Sequence, residues 1–557
     1  MRDQTMKYDY IVVGGGSAGC VTAARLVADF GANVLLLESG SRDWHPLIHM
    51  PTGFVKMLLD PDRFMVGHES LPQSALGGRT VNVLQANVLG GGSSVNAMTY
   101  TRGTRGDYDR WDKAIGDLGW GWADILPHFI RQEGNQRLGT PLHGVHGPLK
   151  VSDAHHPPAD ISRAFLLALQ EMGLPFTPDV NCGDERGATY IQSTTFRGRR
   201  CSSAKAFIEP LAHDERLTVK FNSPALRIVI EGGRAIGVEY ADVGRGRITA
   251  SARCEIVLTA GAFISPKLLM LSGIGPAPEL RKHGIRVLVD LPGVGQNMQD
   301  HNDASLVVET KGNHGYSGED RGLRMLRNGL QYLLFNSGPV TSTGSEVTAF
   351  LNPQSLGSDP TIQFYCVPKI LPIPGGSAPP PGATLLANLI APKSRGSMRL
   401  RSADPRDRPI VDPGWLTRQE DVSTLIAGVR FLLELTRTSP FAEKVARVAA
   451  PHPECHTDEQ LEQYIRRVTG TNWHPVGSCR MGTDEDPTAV LDPELRVRGV
   501  EGLRVFDGSM MPGIISANTN APIMAIADRG VSLMMGTSSL RKPKNAVLGL
   551  TPAPSVG

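Results

Sequence analysis

Net charge of either sign is scarce in this chain of 557 residues: 57 Lys and Arg stand against 55 Asp and Glu, leaving +2 at pH 7. No basic run stands out, so there is no overall field of the kind that draws nucleic acid or an anionic membrane. Cysteine is sparse too. The seven, at 20, 182, 201, 254, 366, 455 and 479, are odd in number and form no Cys-x-x-Cys pair. That excludes a disulfide framework and suggests no metal site; it reads as reduced thiols in a cytoplasm. Apolar runs approaching about 18 residues are missing, as is a basic-then-apolar leader before residue 8. Neither spanning nor secretion is expected, which leaves a cytoplasmic place, with peripheral contact to the inner membrane still open. Aromatic residues make up only 6%, and no cluster stands out as a cage for a quaternary ammonium group, so such a ligand is open but not favoured. The length exceeds what one core can serve, so two domains, or one with a large insertion, are expected.

What is present begins at once. The apolar run Tyr10-Ile11-Val12-Val13 leads directly into Gly14-Gly15-Gly16-Ser17-Ala18-Gly19, and Cys20 to Leu26 then has helical spacing. This is strand, tight turn, helix. Gly14, Gly16 and Gly19 stand where a dinucleotide fold needs a sharp turn, a close approach to a pyrophosphate and tight helix packing, with Ser17 and Ala18 in the same turn. The phosphates would rest on the helix N-terminus. A second apolar strand, Val34-Leu35-Leu36-Leu37, ends in Glu38, about 20 residues beyond the glycines, where a carboxylate accepts from a ribose diol. An adenosine dinucleotide is the expected ligand. A nicotinamide reading shares this fingerprint, but it leaves no place for the second glycine loop, Gly90-Gly91-Gly92-Ser93-Ser94, whose apolar flanks mark it as packed.

That second loop, continuing through Val95-Asn96-Ala97-Met98 to Tyr100-Thr101-Arg102-Gly103, resembles the first signature of the glucose-methanol-choline flavoprotein oxidoreductases. Gly261 to Gly275, beginning Gly261-Ala262-Phe263-Ile264-Ser265-Pro266, resembles the second. Arg200-Cys201-Ser202-Ser203-Ala204, the strand from Ala225 to Ile230, and Gly293 through His301 also match, so the resemblance covers nearly the whole chain. It implies an α/β protein, α+β overall. A Rossmann-like FAD-binding domain would be built from residues 1–155, 193–301 and 471–540. A discontinuous substrate domain on an antiparallel sheet with helices would come from 156–192 and 302–470, with 541–557 as a tail. It implies FAD contacts at Gly90, Gly91, Asn96, Ala97, Met98, Ala225, Ala260, Asp507, Gly508, Asn518 and Thr519, besides the first glycine turn and Glu38. In choline oxidase the position of Val95 is a histidine bonded to the flavin; valine cannot form that bond, so non-covalent FAD is expected. Within the family the chain is most similar to bacterial choline-dehydrogenase-like and alcohol dehydrogenases.

Thr471-Asn472-Trp473-His474-Pro475 resembles the family's catalytic segment, which makes His474 the implied base and Trp473 a wall for the substrate. A neutral imidazole can take an alcohol proton near neutral pH. Asn518 falls at the second catalytic position; its amide can donate to an alcohol oxygen but takes up no proton, so His474 works alone. Asn518 and Asn520 also suit the start of a helix. The expected reaction is oxidation of a primary alcohol to an aldehyde with hydride passing to flavin N5, by a dehydrogenase. The electron acceptor, oxygen or a quinone- or dye-type carrier, is open. The alternatives are an oxidase of aryl or furan carbinols, a hydroxynitrile-lyase-like enzyme without net redox, and a flavin-binding protein that is no enzyme. Gly338 to Ser342 resembles a turn at the cavity wall. Residues 368–383, rich in proline and glycine, form a loop read as a lid, with strands at 362–367 and 384–390. Val422, Leu425, Ile426, Val429 and Leu432 mark one apolar helix face.

Overall fold

The structure, a computed structural model, describes residues 7–371 and 378–541. Its first sheet has seven strands. Lys7–Val13 lies between Val34–Leu37 and the second half of the long strand Gly246–Leu258, parallel to both. Leu217–Lys220 extends the parallel set beyond Val34–Leu37, and Leu503–Val505 adds to the far side of Gly246–Leu258. Ile11, Val12, Leu35, Leu36, Ile256 and Val257 are all fully buried, as strands covered on both faces require. The first half of Gly246–Leu258 turns away and pairs antiparallel with Arg234–Asp242, which pairs with Ala225–Glu231.

The helix Ser17–Phe30 crosses this sheet, burying Ala18 through Val27, and stops at Gly31, whose left-handed backbone returns its N–H to Leu26 and Val27. Strand order reverses around Lys7–Val13, and the carboxyl ends of the strands at such a switch point are where folds of this kind bind ligands.

The second sheet is antiparallel throughout and also seven-stranded, including Gly187–Tyr190, Asn302–Thr310, Val347–Leu351, Ile362–Val367 and Gly382–Leu389. The helix Gln419–Leu435 lays Val422, Leu425, Val429 and Leu432 on it, the stripe read from the sequence. Gly428 allows the close approach: a Cβ there would stand 3.2 Å from that of Ala387. The molecule is thus mixed α/β, a Rossmann-like sheet beside an antiparallel one. Among the described residues no helix is long and apolar enough to cross a membrane.

Two boundaries need correction. Gly382 and Ala383 pair with Glu309 and Val308, so the strand begins before Thr384 and the loop ends sooner. Residues 372–377 of the expected lid lie outside the described residues, as do 542–557 of the expected tail. Arg541 is no tail residue: its N–H donates to the Leu118 carbonyl at 2.9 Å, and its guanidinium pairs with Asp112 and Asp124.

Candidate active site

The two glycine loops meet at the carboxyl end of Lys7–Val13. Gly90 donates its N–H to the Gly15 carbonyl at 2.7 Å, and a Cβ on Gly91 would fall 2.7 Å from the Gly16 Cα. Gly14 turns at φ +105°, and a Cβ on Gly19 would stand 1.9 Å from the Gly14 carbonyl oxygen, so strand and helix touch backbone to backbone. Above Gly16 the space is open, with nothing nearer than 3.9 Å to a built Cβ. The helix starting at Ser17 has no side-chain cap and no acid in its first turn, which leaves its N–H groups for an anion. Ser17 Oγ donates to Asn520 Oδ1 at 2.8 Å, so the helix Asn520–Met534 brings a second N-terminus to the same place.

Glu38 ends Val34–Leu37 and is buried. Its carboxylate accepts from the N–H groups of Gly15 at 2.8 Å and Gly40 at 2.6 Å; burial raises its pKa against their pull. Ala225 begins the strand next to Ser223, whose N–H donates to the Glu38 carbonyl. Ala260 packs at Gly14 and precedes the helix Gly261–Leu271. A dinucleotide with two phosphates fits this cradle: bare glycines, uncapped helix starts and a carboxylate at the neighbouring strand end.

Asp507, expected at the cofactor, has a structural job for its side chain. Both carboxylate oxygens are spent on protein donors, Gly261 N–H and Ser265 Oγ on one, Ser509 N–H and Oγ on the other. The side chain pins the Leu503–Val505 strand end to the helix Gly261–Leu271, with Gly508 packed on Ile523 and Val476. Asn96 likewise spends its Oδ1 on the Met98 N–H and on Arg200, and the Met98 carbonyl accepts from the Thr194 N–H at 2.8 Å. Met98 holds φ 61° and Trp473 φ 57°, two non-glycine residues in the left-handed region, the sort of strain that collects at working sites. Trp473 is 42% exposed.

His474 sits where the segments 298–301 and 473–476 pair: Gln299 and Val476 exchange backbone hydrogen bonds. Asp300 holds the pair together. It accepts the His474 N–H at 2.8 Å, the His301 N–H at 2.9 Å and the Thr471 hydroxyl. His474 Nδ1 lies 3.0 Å from His301 Nδ1, with the two rings edge to face. Burial pushes His474 down to about 4 and His301 well below its ordinary value, the His474 charge adding to the latter. Both rings are therefore neutral at pH 7. Among the described residues His474 Nε2 has no partner. For that nitrogen to accept a proton, the His474 hydrogen must reside on Nδ1 and be donated to His301 Nδ1, which leaves His301 its hydrogen on Nε2. The contact couples the tautomers of the two rings, so His301 can hold His474 in the one that leaves Nε2 an acceptor. In the sequence His301 only closes the motif from Gly293, with no role assigned to it; the Asp-His step at that end is the signal that points to it.

Asn518 is held from three sides. Its Oδ1 accepts from the hydroxyls of Tyr365 at 3.0 Å and Thr101 at 3.2 Å, with Gln363 Nε2 at 3.4 Å, and its N–H donates to Thr101 Oγ1. Burial keeps the Tyr365 hydroxyl protonated. With the oxygen engaged, the amide NH₂ is the group left to donate. From Gln363 the chain of bonds runs through Asn388 to Asn472, whose Nδ2 donates to Asn388 Oδ1 at 2.7 Å, two residues before His474. The antiparallel sheet thus ties Asn518 to the His474 segment. Thr519, with no cap bond of its own, starts the helix behind it.

Two family models match the chain, both described as GMC oxidoreductase, over residues 8–303 and 392–527. An alcohol dehydrogenase (acceptor) from Pseudomonas putida is 37% identical over 95% of this chain and 96% of its own. The mitochondrial choline dehydrogenase of Homo sapiens is 36% identical over 96% of this chain and 91% of its own. Among solved structures, a pyridoxine 4-oxidase from Mesorbium loti superposes with a TM-score of 0.84 at 30% identity, covering 94% of this chain and 98% of that one. The chain belongs to the GMC oxidoreductase family and is an oxidoreductase of that kind.

Proposed function

We propose that this enzyme oxidises a primary alcohol to an aldehyde with non-covalently held FAD, and passes the electrons to a quinone- or dye-type carrier. FAD is the cofactor typical of the family, and when bound it supplies the two-electron acceptor for the carbinol hydride. The glycine loops, the two helix N-termini and Glu38 would hold it. The observation that carries the reading is a neutral imidazole and a side-chain amide each left with one free polar edge, in segments joined through one antiparallel sheet. His474 Nε2 takes the hydroxyl proton, its Nδ1–H held by His301. The Asn518 amide donates to the oxygen as it gains negative charge, a donor already oriented by Tyr365 and Thr101. In this reading residues 302–470 form the substrate-binding domain and Trp473 faces the substrate.

Val95 packs among Ile48, Met57, Phe64, Met65 and Val88 and offers no nucleophile to a flavin. The dehydrogenase reading rests on the names of the two relatives above. Acid precipitation should release all flavin into the supernatant, and turnover with a dye should far exceed oxygen consumption. Flavin retained on the pellet would contradict the first expectation, and equal oxygen uptake the second.

The acid limb of the reaction should lie low. Because burial holds His474 at about 4, the base stays neutral as pH falls from 7 through 5, and kcat/KM should drop only near pH 4. The unfolded chain has an ordinary imidazole, near 6.5, so this residue's contribution to stability is whole above that value and shrinks as pH falls toward 4. A kcat/KM limb at 6.5 or above would contradict a buried base.

A further inference from the structure

The helix Gly322–Phe335 is packed inside out. The residues it buries are Asn328 and Tyr332. Asn328 donates to the Glu319 carbonyl and carboxylate, and the Tyr332 hydroxyl reaches the His49 carbonyl. Its leucines face outward: Leu323 is 85% exposed, Leu326 59%, Leu330 49%, Leu333 76% and Leu334 69%. At 3.6 residues per turn these positions form one stripe roughly 100° wide, opposite the packed face. Exposed apolar stripes of this kind mark an interaction surface.

Its surroundings say what covers it. The helix carries Arg324 and Arg327 and no acidic residue; both guanidinium groups share one carboxylate, Glu319. At its C-terminal end lies the hairpin of Thr195–Phe196 and Arg199–Arg200. There a Cβ on Gly198 would stand 2.3 Å from the Asn336 carbonyl oxygen. That hairpin adds the exposed Arg197 and Arg199, and Arg197 stacks on the half-exposed Phe196. Leucines in a stripe, phenylalanines at its end and arginines around it match a surface that enters the interface of an anionic bilayer. A second copy of the chain would bring these arginines toward their own kind. The near-zero net charge of the whole chain hides the patch, because Arg197 and Arg199 come from a segment more than a hundred residues away.

We infer that the face formed by the helix Gly322–Phe335 and the 195–200 hairpin docks the protein on an anionic lipid bilayer. Docking does not depend on which electron acceptor the enzyme uses, though it would bring the chain to where apolar alcohols and quinone-type carriers concentrate.

The full chain should be mixed with vesicles of phosphatidylcholine containing phosphatidylglycerol, and with vesicles of phosphatidylcholine alone, and sedimented. The double variant Leu326→Glu, Leu333→Glu alters exposed positions only and should keep the melting temperature and the turnover of a water-soluble alcohol. The expected result is binding that needs phosphatidylglycerol, weakens with salt, and falls about tenfold or more in the double variant and in Arg324→Glu, Arg327→Glu. No binding to the anionic vesicles, or equal binding by the variants, would overturn the inference. So would a dimer in light scattering that the leucine variant dissolves without any vesicle binding, because a second copy would then be what covers the stripe.

Discussion

His474→Ala should slow substrate-dependent flavin reduction by about 10²- to 10⁴-fold while leaving the visible spectrum of bound flavin intact. The size follows from the imidazole being the one neutral base with a free nitrogen in its segment, and corresponds to roughly 3–5 kcal/mol of barrier. Flavin retention follows because the hydrogen bonds of His474 go to Asp300 and His301, not to the glycine loops. Rapid-mixing absorbance gives the rate and the spectrum together. A variant that keeps its rate would remove His474 from the mechanism, and one that loses its flavin would make the residue structural.

Gly19→Ala should cost about 3 kcal/mol or more of stability and abolish flavin binding, because overpacking cannot be relieved between two backbones. Its Cβ would fall 1.9 Å from the Gly14 carbonyl oxygen and 2.8 Å from Thr259 Oγ1, so the helix Ser17–Phe30 must leave the sheet. Gly16→Ala separates folding from binding. Gly16 has φ −76° and ψ −165°, which alanine adopts, and its Cβ meets nothing nearer than 3.9 Å. That variant should melt normally yet bind FAD weakly, since the methyl group fills the open space over the helix start. Melting curves and flavin content per chain check both; full flavin content in Gly16→Ala would contradict the cradle.

The cradle was legible because its chemistry is local. Gly14, Gly16, Gly19 and Glu38 fall within one strand-helix-strand unit, and each is where a turn or strand end demands it. The active-site support was not, because it is assembled across the antiparallel sheet. Tyr365, Gln363 and Asn388 are buried polar residues on neighbouring strands, and only the pairing of Gln363 with Asn388 brings them to Asn518 and Asn472. The anchoring of the Asp507 side chain was not legible either, since its partners Gly261 and Ser265 stand 246 and 242 residues upstream. The leucine stripe of Gly322–Phe335 escaped for another reason: apolar spacing announces a helix face without saying whether that face turns inward.

The most direct measurement is anaerobic mixing of the purified, flavin-loaded protein with short, long, aryl, furanic and amino alcohols while flavin absorbance is followed. Bleaching by one class of primary alcohol, with the matching aldehyde formed one for one with reduced flavin, is the expected result. A yellow protein that none of these alcohols bleaches would contradict alcohol oxidation at His474 and Asn518 and favour chemistry without net redox.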